Sequence, residues 1–145
     1  MNKDANARNT LQDNVILLIN GLSESGRVLA KMLAEQGADI GIIDFGHRPV
    51  LARRIQEDVR ENGRSCVVLT PDPTETDHSK FAQQAIRTII DDLGELSSFI
   101  TYAAADSTGN LGQTALQGNG RSSPQLSVFD QYALTKTALE QILAP

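Results

Sequence analysis

Residues 14–44 constrain the fold most, because one short stretch passes from a buried-strand pattern to a helix pattern and back. Val15 to Ile19 is an unbroken apolar run, the pattern of a parallel strand covered on both faces. Gly21 to Gly26 follows as a tight turn of small residues. Val28, Leu29, Met32 and Leu33 then recur at helical spacing, and Gly37 stands where glycine commonly stops a helix. Ile40, Ile42 and Ile43 mark a second buried strand that ends on an acid, Asp44. An acid about 20 positions beyond a strand-turn-helix glycine is the layout of a dinucleotide site.

The physical reasons are specific. Glycine lets the backbone approach a pyrophosphate, and the N–H groups opening the helix at residues 25–28 stand ready to donate to it. Asp44 would accept hydrogen bonds from an adenosine ribose, which favours NAD over NADP because a 2′-phosphate is repelled. The alternative is a plain turn, in which Gly21 and Gly26 serve geometry alone and Asp44 closes a strand.

Asn20-Gly21-Leu22-Ser23-Glu24-Ser25-Gly26-Arg27, continuing through Leu29 to Ala38, resembles the first turn and helix of the short-chain dehydrogenase/reductases. The family pattern there is TGxxxGxG. Asn20 replaces the threonine, Gly21 matches the first glycine and Gly26 the last; the middle glycine is absent and the turn is one residue shorter. The resemblance implies a Rossmann-like, doubly wound parallel α/β sheet and an NAD(P) site. It assigns cofactor contacts to Gly21, Ser23, Ser25, Gly26, Asp44, Asp72 and Ala103.

The rest of the chain continues the alternation. Pro49 suits a first helical position, and Leu51, Ile55 and Val59 at spacings of four mark a helix ended by Asn62-Gly63. Arg48 before it either approaches a ribose phosphate or is a solvated helix start. Cys66 to Leu69 is a third strand, followed by Asp72, which matches the family's adenine-side aspartate or serves as a turn residue. Residues 77–93 form a helix with Phe81, Ala85, Ile86, Ile89, Ile90 and Leu93 on one face, stopped by Gly94. Ser98 to Tyr102 is the fourth strand. The family ends that strand in Asn-Asn-Ala-Gly, and this chain has Thr101-Tyr102-Ala103-Ala104. Both bracing asparagines are gone, and Tyr102 either fills the space of the nicotinamide-side sugar or accommodates it.

Residues 106–125, rich in Gly, Ser, Asn and Gln, read as a flexible loop or flap. A terminal helix is expected over 128–143. Its Tyr132-Ala-Leu-Thr-Lys136 resembles the family's catalytic YxxxK. Tyr and Lys at i and i+4 share a helical face, and the ammonium favours the phenolate. By that pattern Tyr132 is the acid/base and Lys136 its partner. In a second alignment, Phe129-Asp130-Gln131 opens the helix before the catalytic strand, and Tyr132 has no chemical role. Both alignments stay open.

Length and composition bound the function. The 145 residues suit one domain with a real core, expected over 14–145 behind a flexible lead-in at 1–13. A net charge of −5 argues against nucleic acid and anionic membranes as partners. Cys66 in an apolar run reads as a buried inert thiol, and neither His47 nor His78 pairs with it at a zinc-like spacing, so no metal is expected. No apolar run reaches the ~20 residues of a membrane span, and the polar start lacks a signal-peptide core, so a cytoplasmic location is expected.

The family builds seven strands and only four are legible here, so a homo-oligomer or a subunit of a larger assembly is expected to cover the sheet edge. Two functions follow. One is a degenerate relative that keeps the nucleotide-binding-type scaffold as a binding or assembly module with weak or no catalysis. The other is an NAD(P)-dependent oxidoreductase using Tyr132 and Lys136. NAD or NADP is the cofactor in either case, with no cofactor at all as the third outcome.

Overall fold

The computed structural model describes residues 10–102 together with Lys136 and Glu140. The chain runs β1 (Val15–Ile19), α1 (Glu24–Glu35), β2 (Asp39–Ile43), α2 (Pro49–Glu61), β3 (Cys66–Leu69), α3 (His78–Leu93) and β4 (Ser98–Thr101). The four strands make one parallel sheet in the order β3-β2-β1-β4. Ile16 of β1 lies opposite Ile40 of β2 on one side and Ser98 of β4 on the other. This is the Rossmann-like α/β sheet that the alternating pattern predicts.

β1 is flanked on both edges and covered on both faces, so all five of its residues are buried. Even-numbered side chains Ile16 and Leu18 join Ile40 and Ile42 beneath Ala30, Ala34, Ile55 and Val59 of α1 and α2. Odd-numbered Val15, Leu17 and Ile19 meet Ala82, Ala85, Ile86 and Ile89 of α3 on the opposite face. Each fully buried Leu or Ile contributes about 1.5–3 kcal/mol of transfer free energy, and the period-two alternation divides that gain between the two cores.

The helices after β2 end where the glycines predict. Pro49 opens α2, and Gly63 follows it at a φ of 74°. Gly94 closes α3 at a φ of 107°. Cys66 is buried, and loss of solvent pushes its thiol up to about 12, which leaves it protonated and unreactive at neutral pH.

Some expectations are corrected. Val28 and Met32 of α1 do not face the core but stand 60% and 56% exposed. The buried stripe is Gly26, Ala30 and Ala34, with Leu29 and Leu33 half-buried beside it. Small side chains let α1 lie close to the sheet, which turns the bulkier pair outward. The turn is also shorter than Gly21–Gly26, because the helix already begins at Glu24 behind the N-cap Ser23. β4 stops at Thr101, one residue early. Residues 10–13, assigned to the lead-in, include Leu11 and Asp13, whose N–H groups donate to Gln36 O and Gly37 O. The rest of the lead-in, the loop at 106–125 and most of the helix at 128–143 lie outside the described residues; Lys136 and Glu140 are helical and exposed.

Gly41 in β2 leaves room for α3: a Cβ there would stand 2.8 Å from Ile89 Cγ2. Gly41→Ala is expected to cost roughly 1–3 kcal/mol by overpacking, and Ile89→Ala about 2–5 kcal/mol by opening a cavity. Because one change supplies the volume the other lacks, denaturant unfolding of the double variant should show less than the summed loss.

Candidate functional site

The carboxyl tips of β1, β2 and β4 converge on the turn after β1. Asn20 takes a left-handed φ of 62°, which Asn tolerates better than most residues. Its N–H donates to Ile43 O at 2.7 Å, tying the turn to the tip of β2. A Cβ on Gly26 would lie 1.9 Å from the Gly21 carbonyl oxygen, so the first turn of α1 rests directly on the backbone of the glycine turn. This is the close helix-strand packing that the last glycine of such a turn provides.

The donors at the start of α1 are partly spent. Ser23 Oγ accepts the Gly26 N–H at 3.0 Å, and Ser23 O accepts the Arg27 N–H at 2.9 Å. Two of the N–H groups expected to face a pyrophosphate are therefore bonded within the chain. Ser23 stands at the N-cap, where its side chain satisfies one of the open donors of the helix start. Ser25 is exposed, with its hydroxyl 3.2 Å from that of Ser23.

Asp44 is buried at 5% exposure, the one charged side chain buried among the described residues. Oδ2 accepts the Leu22 N–H at 2.9 Å and Oδ1 the Gly46 N–H at 2.6 Å. Arg48 Nη1 donates to Leu22 O at 3.1 Å, so the exposed arginine reaches back over the same turn. Asp44 thus clamps the glycine turn to the tip of β2. The acid was visible in the sequence; the clamp was signalled only by the Asp44-Phe45-Gly46 spacing of a side chain that caps its own turn. A cleft of about 260 Å³ opens alongside, lined among others by Leu22, Arg48, Arg53 and Thr70. Behind the tip, Phe45 packs edge-on against His78 and Phe81, with ring centroids 4.6 and 5.4 Å away.

Tyr102 closes the other side. Its N–H donates to Ile19 O at 2.9 Å and its carbonyl accepts from Asn20 Nδ2 at 3.3 Å. Its hydroxyl reaches Ser25 O at 3.4 Å, and burial holds the phenol above its ordinary range. The structure therefore brings together Gly21, Ser23, Ser25, Gly26 and Asp44. Asp72 is exposed and bonds its own loop instead: Oδ1 accepts from Thr74 N–H at 2.9 Å and Thr74 Oγ1 at 2.7 Å, which hold its carboxyl below the ordinary range. Ala103 and Tyr132 lie outside the described residues. Among the described residues no helix is long and apolar enough to cross a membrane, and no cluster of three or more His, Cys, Asp or Glu could hold a metal ion.

No family model matches the chain. An uncharacterised oxidoreductase, YhdF, of Bacillus subtilis is 26% identical over 144 residues, covering 97% of this chain and 47% of that protein. Among solved structures, a short-chain dehydrogenase/reductase from Serratia marcescens is 20% identical with a TM-score of 0.68, over 91% of this chain and 52% of that one. The Escherichia coli oxidoreductase yciK gives 19% and 0.68, over 94% and 55%. A short-chain dehydrogenase from Mycobacterium thermoresistibile gives 15% and 0.70, over 94% and 49%. The fold is that of the short-chain dehydrogenase/reductases, as the resemblance in the first turn implies. The chain spans about half the length of these proteins.

Burial raises the Asp44 carboxyl above its ordinary range, against the pull of the Gly46 and Leu22 N–H groups and of Arg48. A folded value above the unfolded one, about 3.9, means that the contribution to stability is full below that pH and is lost as pH rises through the folded value. Asp44→Asn removes the titration. Denaturant unfolding from about pH 4 to 7 should show wild-type stability falling relative to the variant. A gap that moves the other way contradicts the environment described for this carboxylate.

Proposed function

We propose that the chain is a degenerate short-chain dehydrogenase/reductase-like protein that keeps a nucleotide-binding-type scaffold and acts as a binding or assembly subunit with weak or no catalysis. The self-capped start of α1 carries this reading. The glycine turn and Asp44 keep the layout of a dinucleotide site, but Asp44 is buried with both oxygens accepting from Leu22 and Gly46, and Gly26 rests on the Gly21 carbonyl. Ser23 in turn already holds the Gly26 N–H that a pyrophosphate would use. Arg48 and Arg53, which line the neighbouring cleft, would draw a ribose phosphate and weaken the preference for NAD that the acid alone would impose. When bound, the cofactor would supply hydride chemistry; this chain's part is to bind and orient it.

The assembly role is supported by apolar side chains turned to solvent. Val28, Met32 and Val50 are 60%, 56% and 51% exposed, and β3 and β4 form the outer strands among the described residues. A second copy of this chain, or a larger assembly, is the partner we infer. An NAD(P)-dependent oxidoreductase is the second reading, favoured by the likeness to YhdF over nearly the whole chain and by Tyr132 and Lys136.

Calorimetric titration with NADH and NADPH separates the two. The scaffold reading expects dissociation constants no tighter than about 0.1 mM and no turnover. Micromolar binding, with turnover that Tyr132→Phe abolishes while binding persists, would establish the oxidoreductase. Sedimentation of the same sample as a stable monomer at micromolar concentration would remove the assembly role.

A further inference from the structure

The strand order reverses at β1. From β1 the chain passes through α1 to β2 on one side, while β3 connects through α3, on the opposite face, to β4 on the other. The tips of β1 and β4 therefore border the crevice where ligands enter an open parallel sheet. Tyr102 stands across it. Its backbone is fixed to β1 by the bonds to Ile19 and Asn20, and its hydroxyl is bonded to Ser25 in the first turn of α1. The ring thus joins the tip of β4 to the helix start, over the turn between them. A pyrophosphate running from an adenosine in the cleft beside Arg48 toward the β4 side would have to pass through the space this ring spans. The adenosine end does not: the cleft lined by Leu22, Arg48, Arg53 and Thr70 opens toward the tip of β3, at the opposite edge of the sheet from β4.

We propose that Tyr102 is the specificity determinant of this crevice: it bars the pyrophosphate crossing between the tip of β4 and α1, so the site takes ligands limited to an adenosine end in preference to an intact dinucleotide. The inference rests on the nucleotide-scaffold reading above and names the ligand class for it. The bar is movable. The ring is half-buried and its bond to Ser25 O spans 3.4 Å, so a dinucleotide binds by displacing it and loses apparent affinity in proportion to the closed fraction.

The test is an NMR titration of the nitrogen-labelled full chain with NADPH and with adenosine 2′-monophosphate, which has no pyrophosphate. Wild type, Tyr102→Ala and Tyr102→Phe are compared; the phenylalanine keeps the ring and removes the hydroxyl that bonds Ser25. Tyr102→Ala should bind the dinucleotide about tenfold more tightly than wild type, and Tyr102→Phe by an intermediate amount, with the mononucleotide changed by less than about twofold. Dinucleotide affinity that stays the same or weakens in both variants, or a mononucleotide that tightens equally, overturns the gate and leaves the nucleotide scaffold standing. Absence of binding by either ligand to any of the three chains overturns both.

Discussion

Everything in this structure is arranged about the burial of β1. A strand hydrogen-bonded on both edges and covered on both faces has no solvated surface, so its five residues are all apolar, and both of its neighbours run parallel to it. Parallel neighbours require crossover helices, and the right-handed habit of those crossovers sends α1 and α2 to one face and α3 to the other. The crevice at the strand tips is thus a by-product of satisfying one strand. Its position owes nothing to the chemistry found there.

The fold was legible because its signals were local and redundant. Unbroken apolar runs at Val15–Ile19 and Cys66–Leu69 left no choice of face, and Gly37, Gly63 and Gly94 marked helix ends that the backbone confirms with positive φ. What misled was side-chain size on α1. Periodicity allots Val28 and Met32 to the same stripe as Leu29 and Leu33, yet how near a helix sits to a sheet decides which part of a wide stripe is buried. At this distance alanine and glycine take the inner line.

The site was legible by residue and much less by role. Gly21, Gly26 and Asp44 converge as the spacing implies, but a sequence does not state whether a donor is already engaged. Ser23 caps its own helix and Asp44 serves as a clamp; both follow from hydrogen-bond saturation, which depends on angles set only when the turn closes. Asp72, equally suggestive in the chain, spends its carboxylate on Thr74 two residues away.

The contact between Gly26 and the carbonyl of Gly21 bears on how such sequences drift. Where a methyl group would overlap a backbone oxygen, selection for a folded chain is enough to keep the glycine, with or without a molecule to hold. At this position the glycine of the fingerprint answers to steric exclusion within the fold itself.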